Sequence, residues 1–253
     1  MRRANWIAGG GVALGAAIAG AATFGASAAD NGFNEAQRAE IEALIGQYIE
    51  ENPDVVFSAV QAAVSKRQAA EEERLKTSVV DNLSKLESVE GGFAAGASAE
   101  EARVTVVEFF DYHCGYCKRA TGAVMALLDK DPTVRVIFKE LPIVTEESRE
   151  AAKASLAARE QNRYVEFHAA MMRAAGKLTP KRIDRIAEDV GLDVAALRKE
   201  MKSPELDAAL DSNSELATLV GITGTPTFIV DGEVIPGWNE AKFNELVGAG
   251  SDG

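Results

Sequence analysis

From Arg103 to Lys118 the chain reads RVTVVEFFDYHCGYCK. Arg103 to Phe110 is apolar on both faces of a strand, apart from Glu108, which is the pattern of a strand buried inside a sheet. Cys114 and Cys117 follow, and apolar residues recur at helical spacing to Leu128. A C-x-x-C pair that ends a strand and opens a helix is the redox reading of two cysteines. The physics supports it. At a helix start the free backbone N–H groups and the positive end of the dipole favour a thiolate, so Cys114 is expected to attack and the deeper Cys117 to resolve. A bridge between residues only three apart closes almost no loop, so it would be a chemical group rather than a staple.

Outward from that stretch the order is that of an α/β domain. Val134 to Lys139 (VRVIFK) reads as a second buried strand, and residues 145–220 as a nearly all-helical insertion capped at Thr145, Thr179, Asp193 and Ser203 with a stop at Gly191. Thr227 to Val230 and Glu233 to Ile235, joined by Asp231-Gly232, read as a hairpin. A last helix follows Asn239. Strand, helix, strand, helical insertion, hairpin and helix make a thioredoxin-like fold, expected to span 102–253. Upstream, Ile41, Leu44, Ile45, Tyr48 and Ile49 form one stripe on a helix, and Asn52-Pro53 opens another that carries Val56, Phe57, Val60 and Val64. Residues 30–64 are therefore expected to be a helical oligomerisation segment, docking on the same chain being the alternative. Residues 65–101 read as a charged linker, either solvated helix or flexible, ending in a loop at 90–101.

The 253 residues carry 27 Lys and Arg against 39 Asp and Glu, a net charge of −12, which makes nucleic acid an unsuitable partner. With two Cys and two His in the chain, His113 directly before Cys114 makes a four-ligand zinc site awkward, and Lys118 after Cys117 excludes haem attachment. Arg2 and Arg3, the uncharged run from Ala4 to Ala29 and the Ala26-Ser27-Ala28 pattern read as a signal peptide, residues 1–28, cleaved near Ala28. Its removal takes two Arg and no acid and leaves −14. Export implies an oxidising compartment.

The segment Glu108 to Lys118 resembles the active-site stretch of DsbA-like periplasmic thiol–disulfide oxidoreductases, and Gly224-Thr225-Pro226-Thr227-Phe228 resembles their cis-proline loop. Tyr164 to Met171 resembles part of their insertion, and the helices around Tyr48 to Pro53 resemble the oligomerisation segment of the suppressor-of-copper-sensitivity C (ScsC) branch. Residues 90–101 depart from the family's usual Gly-Asn-Pro-Asp turn, having Ala94-Ala95-Gly96-Ala97. The resemblance implies Cys114 as nucleophile, Cys117 as resolving thiol, Pro226 in cis and Thr225 pairing with the bound client. It also implies a trimer.

Glu108 matches the family's buried acid. Burial would raise its pKa and let it relay a proton to Cys117, or it pairs with Lys139 on the next strand. His113 is a candidate modulator of the thiolate, or points away from it. Gly115-Tyr116 between the cysteines tunes the redox poise, and resembles the dipeptide of disulfide isomerases. His168 reads as a packing or surface residue, and Trp238 and Phe93 as packing residues. The expected activity is a periplasmic disulfide isomerase/reductase, with no cofactor beyond the Cys114–Cys117 disulfide. Its expected partners are exported clients and a membrane redox partner. The alternatives are a DsbA-like oxidase or a copper-tolerance protein holding Cu(I) at Cys114 and Cys117. A further alternative makes residues 34–86 an adaptor that recruits a partner.

Overall fold

The computed structural model describes residues 32–249. The signal peptide expected at 1–28 lies outside the described residues. The chain divides into two compact units, Met1–Ala62 and Ala63–Gly253. In the first, α1 (Glu35–Glu51) starts in a capping box, in which Asn34 accepts from the Gln37 N–H and Gln37 from the Asn34 N–H. No residue of α1 is buried. Asn52 closes α1, and Pro53, which lacks an N–H that a first turn would leave unused anyway, begins α2 (Pro53–Asp81).

The second unit is built on five strands, β1 (Phe93–Gly96), β2 (Val104–Phe110), β3 (Val134–Glu140), β4 (Thr227–Val230) and β5 (Glu233–Pro236). Their order across the sheet is β1-β3-β2-β4-β5. Only β2 and β3 are parallel, as a strand–helix–strand crossover requires. The helices of this unit after α2 are α3 (Leu83–Leu86), α4 (Gly115–Lys130), α5 (Ser148–Ala157), α6 (Tyr164–Arg173), α7 (Pro180–Asp189), α8 (Val194–Glu200), α9 (Pro204–Val220) and α10 (Glu240–Ala249). The β4–β5 turn has φ of 47° at Asp231 and 87° at Gly232, the two positive values a tight hairpin needs.

Alternation along β2 sorts its side chains between two cores. Val104, Val106 and Phe110 face α4 and the insertion. Val107 and Phe109 join Ile137 and Ile229 in a second core covered by Val79, Leu86, Ala217 and Val220. The charged run at 65–74 is helical, as part of α2, and from Leu75 onward the stretch expected to be linker packs into the second core. The expected loop at 90–101 also needs correction, because β1 lies inside it and pairs with β3 from Phe93↔Phe138 to Gly96↔Arg135. The partner strand makes these small residues a strand. A Cβ at Gly96, where φ is 88°, would strike the Val134 carbonyl. In the insertion, Asp193 caps α8 through the Ala196 N–H, whereas Thr179 and Ser203 precede Pro180 and Pro204 without a side-chain capping bond. The expected cap Thr145 lies outside α5, whose N-cap is Glu147.

Candidate active site: a dithiol at the start of α4

Cys114 is the N-cap of α4, and its Sγ lies 3.5 Å from the Cys117 N–H that points out of the first turn. Both cysteines are free thiols. The Cys114 Sγ–H donates to the Thr225 carbonyl at 3.1 Å, and the Thr225–Pro226 bond is cis. The sequence therefore brings together the first cysteine and the loop before β4, 111 residues away. The Cys117 thiol, helped by the N–H groups of Cys117 and Tyr116, holds Cys114 down to about 5 against burial, which pushes it up. Burial pushes Cys117 far above the ordinary thiol range, reinforced by its bond to Cys114 and the charge of Glu108.

Glu108 is buried on the same face of β2 as this core, and neither carboxyl oxygen has a hydrogen-bond partner. Burial, then the nearby Cys114 charge, pushes it up to about 8. The ion pair with Lys139 does not form. Glu108 is paired across the sheet with Phe138, and Phe109 with Lys139, so the two charged side chains project from opposite faces. Lys139 instead donates to the carbonyls of Ser88 and Glu90, both at 2.8 Å.

His113 also turns away from the thiols. The Leu178 N–H donates to its Nε2 at 3.2 Å, which leaves the ring hydrogen on Nδ1 facing Ser148 Oγ at 3.2 Å. Burial further lowers its pKa, so it is held neutral and supplies no cation to Cys114. Tyr116 lends Cys114 its backbone N–H, while its exposed ring lies under Arg119, whose guanidinium carbon is 3.9 Å from the ring centroid. His168 is in the core between Phe110, Phe138 and Tyr164, and burial lowers it to about 3. Phe93 stacks on Tyr164, and Trp238 packs against Phe228 and Phe243.

Four polar residues around the site are not singled out by the sequence. Asp111 is buried and accepts from the N–H groups of His113, Ile143 and Val144 and from Ser148 Oγ, which fixes the approach to Cys114. Tyr112 OH donates to Ser155 Oγ and lies 3.0 Å from His168 Nδ1. Glu140 Oε1 accepts from Tyr164 OH at 2.7 Å, its Oε2 has no partner, and burial pushes it up to about 7. Lys118 reaches the Ala174 carbonyl. The usable signal was a charged or polar residue inside an apolar run, as at Glu140 after VRVIFK. Among the described residues no group of three or more His, Cys, Asp or Glu is gathered as for a metal ion.

A low-pKa thiol at a helix start over a protonated one, with an ionisable carboxyl beneath and a cis-proline loop opposite, is the equipment for thiol–disulfide exchange on a thioredoxin-like domain. The comparisons agree with that class. The family model for a DSBA-like thioredoxin domain matches residues 105–245, and the chain belongs to that family. It is similar to a thioredoxin-like oxidoreductase from Silicibacter pomeroyi, at 40% identity and TM-score 0.59 over 64% of this chain and 94% of that one. It is also similar to ScsC of Proteus mirabilis in a transitional conformation, at 25% identity and TM-score 0.61 over 86% and 98%. A Na(+)/H(+) antiporter NhaA 3 of Salinispora tropica is 35% identical over 134 residues, 52% of this chain. The chain spans about a fifth (21%) of the length of that curated relative. Among the described residues no helix is long and apolar enough to cross a membrane.

Proposed function

We propose that the protein is a periplasmic thiol–disulfide oxidoreductase that acts as a disulfide isomerase/reductase on exported clients. The observation that carries this reading is the opposite treatment of the two thiols, Cys114 held to about 5 and Cys117 held protonated above a buried Glu108. At neutral pH Cys114 is a thiolate and attacks a client disulfide. A Cys114–client bond forms, the client disulfide breaks, and one client thiolate leaves. That thiolate can attack another client disulfide, and the thiolate freed there attacks the client sulfur of the Cys114–client bond; a new client disulfide forms, Cys114 leaves as a thiolate, and the result is isomerisation with no net redox change. Alternatively Cys117 gives its proton to the Glu108 carboxylate and attacks Cys114 Sγ, releasing the second client thiolate. The products are the Cys114–Cys117 disulfide and a reduced client, and a membrane redox partner must then return two electrons. Once Cys114 is in a mixed disulfide its charge is gone. One of the two causes that raise Glu108 then disappears, and the carboxyl becomes a better base when Cys117 must lose its proton. The backbone of Thr225 pairs with the client chain, and no cofactor beyond the dithiol is needed.

Stabilising a thiolate stabilises the reduced state. A value of about 5 lies between those of about 7 and about 3.5 found in a reducing and a strongly oxidising C-x-x-C. That intermediate poise suits an enzyme that must remain reduced among oxidised clients. The same thiolate also favours the second reading, a DsbA-like oxidase. As a Cu(I) site the pair offers two soft sulfurs, but Cys117 is buried and strongly resists losing its proton, so it is a weak donor set for that third reading. The deciding experiment measures the reduction potential with refolding of a scrambled disulfide protein. An intermediate potential with isomerisation supports the proposal. A strongly oxidising potential with disulfide formation and no isomerisation would replace it with the oxidase.

A further inference from the structure

The chain is strongly acidic, at −12, yet cations collect beside the dithiol. Lys118 and Arg119 directly follow Cys117. Lys118 donates to the Ala174 carbonyl at the end of α6, and the Leu178 N–H donates to His113 Nε2. The segment 174–178 is thus tied to the residues on both sides of the C-x-x-C motif. Arg173 precedes it, Lys177 lies within it, and it leads into α7, where Lys181, Arg182 and Arg185 line a groove of about 490 Å³ together with Asp189.

Several cations elsewhere in the unit are taken up by acids. Arg103 pairs with Asp131, Arg149 with Asp207 and Asp211, and Arg198 with Glu150 and Asp184. Because Arg198 takes Asp184, that acid does not offset α7. Among the described residues Arg173, Lys181 and Arg185 make no ion pair, Arg182 bonds only the Ala175 carbonyl, and Lys177 alone has an acid, Glu147. Exposed cations left unpaired in an acidic protein, within one short segment of the nucleophile, point to an anionic partner there.

We propose that this face docks acidic stretches of the client polypeptide, so that disulfides flanked by Asp and Glu are exchanged in preference to others. The inference rests on the thiol-exchange reading above and deepens it with a substrate class. An extended acidic segment lying along the groove brings its cystine to Cys114. Its attraction acts before contact and is screened by salt over about 8–10 Å.

The test uses the full chain, reduced, and three synthetic peptides with the same disulfide, flanked by Asp and Glu, by Lys, or by neutral residues. At about 10 mM ionic strength the acidic peptide is expected to exchange about tenfold faster than the neutral one, and the Lys peptide slower. The preference is expected to vanish at about 0.5 M salt, where screening acts within a few ångströms. The ratio of acidic to neutral rates, read within each variant, is expected to fall to one or below in Lys181→Glu/Arg185→Glu. It is expected to fall partway in the milder Lys181→Gln/Arg185→Gln, which guards against misfolding of the first. The same charge change at Lys85 and Lys242 is expected to keep the preference. Equal rates for the three peptides, or a preference that survives the α7 changes, overturns the docking site. So does loss in those variants of binding to anionic vesicles when the peptides show no preference, which would make the face a membrane contact. Absence of exchange with all peptides would instead sink the thiol-exchange reading itself.

Discussion

Cys114 and Cys117 stand one helical turn apart with opposite protonation, and Glu108 is the titrating group beneath them. Cys114→Ser is expected to abolish exchange, and Cys117→Ser to accumulate mixed disulfides that non-reducing electrophoresis reveals; equal trapping by both would reverse the assignment of the attacking sulfur. Glu108 makes a pH prediction with a definite sign. Its folded pKa of about 8 lies above the ordinary 4.5, so the native state holds a proton the unfolded chain has lost. Its contribution is complete below about 4.5 and is lost as pH rises through 8, approaching about 1.4 kcal/mol per pH unit. Glu108→Gln removes this dependence. Relative to the parent, the variant is expected to gain stability from pH 5 to pH 9 in denaturant unfolding of the reduced protein, while exchange at neutral pH slows. A stability difference that stays flat with pH would deny Glu108 its buried, titrating role. Cys114 and Cys117 were legible as a C-x-x-C pair where a strand gives way to a helix, and Glu108 as the one acid inside an apolar strand. The sequence left Glu108 open between a proton relay and an ion pair, because only strand register tells which face Lys139 takes. His113 was likewise left open, since adjacency in sequence says nothing about where a ring points, and here Leu178 holds it.

At the scale of elements, β2, α4, β3 and the hairpin announce themselves through alternation, helical spacing and an Asp-Gly turn. β1 does not, because Phe93-Ala94-Ala95-Gly96 has little strand character of its own. Its conformation is imposed by the exposed edge of β3 and by a backbone approach that only glycine permits. Gly96→Ala should therefore cost more than the about 1–2 kcal/mol that a positive φ alone imposes, since the new methyl also meets the Val134 carbonyl. The same substitution at Gly122 in α4, where a Cβ meets nothing within 4 Å, is expected to add about 0.5–1 kcal/mol. Urea midpoints of the two variants check the contrast. If Gly96→Ala is neutral, β1 is not held by close approach. The charged run at 65–74 illustrates the opposite limit of sequence reading. Charge density alone is compatible with solvated helix or coil, and the helix continues through it as α2.

For the whole molecule the unexplained surface is the first unit. Ile41, Leu44, Ile45, Tyr48, Val56 and Val60 are 38–65% exposed in the single chain. Burying such a side chain is worth about 1.5–3 kcal/mol. Six per chain, even partly covered, can offset an association cost of about 4–15 kcal/mol. The stripe is therefore expected to close on copies of itself, with a trimer favoured by the ScsC resemblance. Assembly would place several Cys114 thiolates around one client and raise their effective concentration, which is what repeated attack on wrong disulfides needs. Light scattering on the full chain tests assembly directly, and a monomer would refute it. Deletion of 30–64 is expected to give a monomer that keeps simple dithiol exchange, because the dithiol, Glu108 and the cis-proline loop all belong to the second unit. It should lose most isomerisation of scrambled substrates and gain oxidase activity, since Cys114, no longer enclosed among neighbouring copies, would be open to an oxidising partner. A deletion that is monomeric yet isomerises at the full rate would separate assembly from function. In that case the opposed protonation of the two thiols alone would carry the isomerase activity.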